Sequence, residues 1–280
     1  MQQPLSPIIG PKELLLLPKG TYILIDAGPS RERYNDTHLQ GALYADLNAD
    51  LAQVPPDPKI GGRHPLPTPE KFGKALRRLG ITPQSHVVVY DDKNGANPAA
   101  RFWWMLRAAG HDKVQVLNGG MQAAQEEGFA ASHAIEMPKG GEDYTFLNWQ
   151  LPTADMDGAA TAAAGAESIV IDVRDKERFA GITEPVDPIA GHIPGAINIP
   201  FASNLDTDGK FLSPELLREK YVAALGNIPT GNVIVHCGSG VTACHTLLAL
   251  ELAGLGIPAL YVGSWSEWSR NGKPIAGNTK

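Results

Sequence analysis

Two kinds of apolar spacing alternate along this chain. Short, unbroken apolar runs rich in β-formers recur at 22–25, 87–90 and 114–117, and again at 169–173, 233–236 and 259–262. They are too short for helices and barely alternate with polar positions, which is the pattern of parallel strands covered on both faces. Segments with helical spacing lie between them. In 68–80, Thr68 is the expected N-cap and Pro69 fills the first helical position. Phe72, Leu76 and Leu79 then share one face, and Gly80 closes the helix. Ser213, Pro214 and Gly226 frame a second helix in the same way. Strands alternating with helices predict an α/β fold built on parallel sheets.

The two sets of runs are copies of each other. Segment 22–47 is similar to 169–201, with Asp26 answering to Asp172 and His38-Leu39-Gln40-Gly41-Ala42 to His192-Ile193-Pro194-Gly195-Ala196. Segment 68–80 answers to 213–226, and 86–120 to 232–264. The matches keep their order at an offset of roughly 150 residues, so the chain reads as a tandem duplication. The domains expected are 1–136 and 153–280, with the turn-rich stretch 137–152 as the linker.

Composition narrows the class. A chain of 280 residues, 43% hydrophobic and 19% charged, has the makings of globular domains with a sizeable core. The net charge of −6 argues against nucleic acid and against anionic membrane surfaces as partners. The early aliphatic run from Leu14 to Leu17 is closed by Pro18, too short to span a membrane and without the basic flank of a signal peptide. The only cysteines are Cys237 and Cys244, which excludes a disulfide-stapled scaffold and fits a reducing cytoplasm. With no Cys-x-x-Cys pair and no clustered His/Cys spacing, no metal site is expected.

Chemistry in an open parallel sheet gathers where strand C-termini meet helix N-termini. Cys237 falls there, between the run 233–236 and a long apolar helical segment. If Gly238-Ser239-Gly240-Val241-Thr242 curls into that helix, its amides face the sulfur and favour an anion such as a thiolate. The first copy carries Asp91 at this position. A packing cysteine is seldom exchanged for a carboxylate, whereas a reactive residue is easily lost from a spare copy. Cys237 is therefore the candidate nucleophile, and Cys244, inside the helix, is read as packing. His236-Cys237 also fits the opening of the His-Cys-x5-Arg phosphatase pattern, but Ala243 stands where that arginine would clamp a phosphate.

The loop "CGSGVTA" (237–243) is similar to the active loop of the mercaptopyruvate sulfurtransferases. With "GHIPGAINIPF" (191–201), "FWWML" (102–106), "LNGG" (117–120) and "GSWSEW" (263–268), the chain resembles the two-domain rhodanese-type sulfurtransferases over nearly its whole length. The resemblance implies two rhodanese-like domains, each a central parallel sheet flanked by helices on both faces. The first would be inactive, with Asp91 at the cysteine position, and the second catalytic. It implies that sulfur passes from 3-mercaptopyruvate or thiosulfate through a Cys237 persulfide to cyanide in assay, or to a thiol such as thioredoxin. Gly238, Gly240, Val241 and Thr242 would cradle the sulfur, and no metal or organic cofactor would be needed.

Further positions follow from the same resemblance. Ser239 and His64, the latter in "GGRHPLP" (61–67), match a proton relay whose acidic third member is replaced by Asn48, with Asp50 nearby. Arg178 matches an arginine that grips the donor's anionic end, and Arg101 is a further donor-binding candidate. Where the mercaptopyruvate enzymes carry a second arginine, this chain has Val186-Asp187, closer to the thiosulfate enzymes; Arg63 and Arg101 are cations that could compensate. The loop lacks the Arg and Lys that thiosulfate enzymes place beside the departing sulfite. Because the loop touches the reacting atoms, mercaptopyruvate is the donor expected. A non-catalytic persulfide carrier is the remaining alternative.

Overall fold

Runs of chain too apolar to face water pair edge to edge into a parallel sheet, and they do so twice. The computed structural model describes residues 5–277 apart from 97 and 139. In the first half the strands are β1 (Ile8–Ile9), β2 (Ile23–Asp26), β3 (His38–Leu39), β4 (Leu43–Tyr44), β5 (Val87–Tyr90), β6 (Val114–Leu117) and β7 (Ala131–Ser132). The helices are α1 (Pro11–Leu16), α2 (Arg31–Asp36), α3 (Pro69–Arg78), α4 (Pro98–Ala108) and α5 (Gly120–Glu126). The second half holds β8 (Thr153–Ala154), β9 (Ile169–Asp172), β10 (Ile197–Asn198), β11 (Val233–His236) and β12 (Ala259–Tyr261). Its helices are α6 (Met156–Ala164), α7 (Lys176–Phe179), α8 (Pro214–Leu225), α9 (Ala243–Leu252) and α10 (Ser264–Trp268).

The first sheet runs β1-β6-β5-β2-β4 and the second β8-β12-β11-β9-β10, every pairing parallel. The two orders are the same order. Strands β3 and β7 add a small antiparallel pair. The central strands are buried along their length because helices cover both faces. Val88 and Tyr90 of β5 join Leu14 of α1 and Met121 of α5 in one core, while α4 packs against β5 and β6. Residues alternate across a strand, so Val87 and Val89 turn to the opposite face. In the second half α6 and α9 both pack on β11.

The repeat holds at the level of single hydrogen bonds. Asp26 Oδ1 accepts from the amide of Gly28 at 2.7 Å, and Asp172 Oδ1 from that of Arg174 at 3.0 Å. His38 donates from Nδ1 to the carbonyl of Tyr34 and stacks on its ring. His192 does the same with Phe179, both bonds at 2.7 Å. Helix starts are as the caps predict: Thr68 Oγ1 accepts from Lys71 N–H, Ser213 Oγ from Leu216 N–H, and Gly226 ends α8.

By internal contacts the chain divides into two compact units, and they are not consecutive halves. The first extends as far as Ala52 and resumes over Pro67–Gln150 and Thr207–Phe211. The second takes Gln53–Leu66, Leu151–Asp206 and the chain from Leu212. The stretch read as a linker carries Phe146 and Trp149 onto Phe72 and Trp104 of the first unit. No helix among the described residues is long and apolar enough to cross a membrane.

Candidate active site

Strand β11 delivers Cys237 to the C-terminal end of the second sheet, one residue past its last ladder position. The sulfur-bearing residue is 3% exposed. Its backbone is fixed on both sides: the amide donates to Ser264 Oγ at 3.2 Å, and the carbonyl accepts from Trp265 N–H at 3.0 Å. One residue on, the Gly238 carbonyl accepts from Ser266 N–H at 2.8 Å. At Gly240 the backbone is left-handed (φ +73°), and a Cβ would lie 2.4 Å from the Val262 carbonyl oxygen. Only glycine fits there, which accounts for one glycine of the loop.

The first unit shows what such a loop does to an anion. Asp91 sits at the equivalent strand end, wholly buried, and its carboxylate accepts from the amides of Lys93 and Gly95, both at 2.8 Å, and of Ala99 at 3.2 Å. Burial pushes this carboxyl up to about 6, and the three amides restrain the rise. Ser239 and Val241 stand two and four residues past Cys237, as Lys93 and Gly95 stand past Asp91. Among the described residues the amides of Gly238, Ser239, Val241 and Thr242 donate to no protein acceptor. Two of the donors that hold a carboxylate in one unit, at the positions of Lys93 and Gly95, are thus open in the other, in the loop that follows a cysteine.

His64 lies on the Gln53–Leu66 segment, which belongs to the second unit. Its Nδ1 is 2.8 Å from Ser239 Oγ, so the two residues matched to a proton relay are in hydrogen-bond contact. The segment is pinned to α10. Gly61 N–H donates to Glu267 at 2.9 Å and Arg63 N–H to Ser266 Oγ at 3.1 Å. A Cβ on Gly62 (φ +81°) would lie 2.3 Å from the Gly263 carbonyl oxygen. Ser266 therefore ties the histidine-bearing segment and the cysteine loop to one turn of helix. Asn48 and Asp50 belong to the first unit, where Asp50 Oδ2 accepts from Arg78 at 2.6 Å and from the Asp46 amide at 2.8 Å. Arg101 is also in the first unit, fully buried on α4, with Nη2 3.5 Å from the Leu51 carbonyl.

Charged groups gather above Gly238. A Cβ at that position would lie 3.2 Å from Arg63 Nη2 and 3.5 Å from Arg178 Nη2. Arg178 is braced by Glu184, with Nη2–Oε1 at 2.7 Å. Asp187, its side chain wholly buried, pairs with Arg63 through Nη1 and with Arg270 at 2.7 Å, and lies 3.8 Å from Arg178. Beneath the loop, Arg174 pairs with Asp172 and with Glu184 and stacks over the Trp265 ring. Burial pushes the His236 imidazole down, against the pull of Asp172. Asp172 is held low by His236 and Arg174 despite its burial, and stays ionised.

Sequence reasoning reached Cys237, Ser239, His64 and Arg178, and these are in one unit with Gly238, Gly240, Val241 and Thr242 between them. It missed Ser264, Ser266, Arg270 and the role of Asp187 as an arginine brace. The only signals were the quoted "GSWSEW" segment and the departure at 187, because the contacts involved span long stretches of chain.

A family model described as Rhodanese-like domain matches residues 11–127 and again 157–271. The "Probable 3-mercaptopyruvate sulfurtransferase" of Pseudomonas aeruginosa is 41% identical over 251 residues, 88% of this chain and 86% of that protein. The "Thiosulfate sulfurtransferase" of Rattus norvegicus is 34% identical over 249 residues, 88% and 82% of the two chains. Among solved structures, the 3-mercaptopyruvate sulfurtransferase from Leishmania major superposes with a TM-score of 0.81 at 31% identity, covering 94% of this chain and 74% of that one.

Proposed function

The chain belongs to the rhodanese family and is a sulfurtransferase, and on that premise we propose that it takes sulfur from 3-mercaptopyruvate onto Cys237 as a persulfide and hands it to a thiol. The observation that carries the choice of donor is the 2.8 Å contact between His64 and Ser239 beside the nucleophile. Breaking the C–S bond of mercaptopyruvate leaves an enolate that must be protonated at C3. Sulfite leaving thiosulfate needs no proton.

The steps balance. The Cys237 thiolate attacks the donor sulfur, an S–S bond forms, and the electron pair of the C–S bond passes into the enolate. The donor's own thiol proton, carried through Ser239 and His64, completes the methyl group of pyruvate, so no net proton is consumed. The amides of Gly238, Ser239, Val241 and Thr242 hold the persulfide anion, as three amides hold the Asp91 carboxylate in the first unit. Arg178 receives the donor carboxylate. A thiol acceptor such as thioredoxin, or cyanide in assay, then attacks the outer sulfur and regenerates the thiolate. Both cysteines are free thiols, in keeping with a reducing cytoplasm.

Thiosulfate is the second reading, favoured by Asp187 standing where a second arginine was expected. Mass spectrometry after incubation with mercaptopyruvate should find one added sulfur on Cys237. Cys237→Ser should abolish turnover and Cys244→Ser should retain most of it; a sulfur adduct on Cys244 alone would overturn the assignment.

A further inference from the structure

Arg178 is one cation at the donor site, and the residue nine positions later, Asp187, is a carboxylate. A second guanidinium nevertheless arrives from a distant part of the sequence. Arg63 commits Nη1 to Asp187, whose side chain is wholly buried and also pairs with Arg270. That leaves Nη2 directed at the loop, 3.2 Å from where a Gly238 Cβ would stand. Among the described residues neither Arg63 Nη2 nor Arg178 Nη1 donates to a protein atom. Arg178 Nη1 lies 3.8 Å from the same point above Gly238. The missing side chain of Gly238 is what gives both guanidiniums their place over the backbone next to the nucleophile. The arginine side chains are 23% and 20% exposed, open enough to meet a ligand and covered enough for the charge to matter.

We propose that Arg63 is a donor-binding residue, which together with Arg178 forms a paired guanidinium site over Gly238 for the anionic end of the sulfur donor. Asp187 is the brace that fixes one edge of the Arg63 fork so that the other edge faces the donor. The site takes a small carboxylate or oxyanion whose charge lies a few bonds from its reactive atom, with the arginines over Gly238 and the nucleophile one residue before it. This deepens the sulfurtransferase reading and rests on it for the identity of the donor, though not for the existence of the anion site.

The test compares alkylation of Cys237 by iodoacetate, an anion of that shape, with alkylation by neutral iodoacetamide; each reaction forms a thioether and releases iodide. In the full-length protein, Arg63→Gln should slow iodoacetate about tenfold and leave iodoacetamide within about twofold. In the donor assay the same variant should raise the KM for mercaptopyruvate about tenfold with a much smaller change in kcat. Arg63→Met, which keeps the apolar stem, serves as the check if the glutamine variant folds poorly. Equal slowing of both reagents, or no change in either, overturns the proposal. Selective loss of iodoacetate reactivity in a protein that never acquires sulfur from either donor would keep the anion site and sink the sulfur-donor reading instead.

Discussion

At the scale of single residues, the decisive contrast is between Cys237 and Asp91, which occupy the same strand end in two copies of one unit. The carboxylate in the first copy closes its own cradle with three amide hydrogen bonds. Its folded-state value of about 6 lies above the ordinary 3.8, because burial penalises the charge. A group raised in this way contributes stability that is present below about pH 4 and is lost as pH rises through 6. The loss is on the order of 3 kcal/mol. Asp91→Asn should remove that slope, so the stability difference between wild type and variant should favour the wild type more at pH 4 than at pH 7. Urea titrations at the two pH values measure it, and a pH-independent difference would contradict the assignment. For the relay pair, Ser239→Ala or His64→Asn should slow sulfur loading from mercaptopyruvate by about 10²- to 10⁴-fold while loading from thiosulfate changes far less. Equal losses with both donors in single-turnover loading would remove proton delivery as their role.

At the scale of elements, the site depends on two short backbones meeting α10. Gly240 and Gly62 each combine a left-handed backbone with a carbonyl oxygen where a Cβ would go. Gly240→Ala should cost about 1–3 kcal/mol of stability from the backbone conformation alone, before the clash with Val262 is counted. Gly62→Ala should displace the segment that carries Arg63 and His64. The expected readout is a large fall in mercaptopyruvate turnover, with a smaller fall in alkylation of Cys237 by iodoacetamide; equal falls would mean the cysteine loop itself had moved. The central strands and the caps of α3 and α8 were legible in the sequence, since Thr68 and Ser213 declare their helix starts and the four-residue runs are uninterrupted. The edge strands β1, β4, β8 and β10 were not, because two residues carry neither a period nor an apolar run. Cys237, Ser239 and Arg178 could be found from local motifs. The pairing of Arg63 with Asp187 could not, since it joins positions whose separation only the folded unit closes.

At the scale of the whole molecule, duplication supplied two copies of one sheet, the first carrying Asp91 where the second carries Cys237. The strand orders agree, yet the contact-based units do not follow the sequence halves. Gln53–Leu66, which lies in the first half of the chain, belongs to the second unit and brings His64 and Arg63 with it. A repeat found by aligning halves assigns that segment to the first copy, so the arginine brace and the pinning by Ser266 were invisible at that level. On the mechanism proposed, this unit expels a carbon leaving group that needs a proton. The paired measurement of kcat/KM for 3-mercaptopyruvate and thiosulfate, with cyanide as the common acceptor, tests it most directly. The value for mercaptopyruvate should be the larger by about tenfold or more; a value for thiosulfate equal to it or greater would contradict the account.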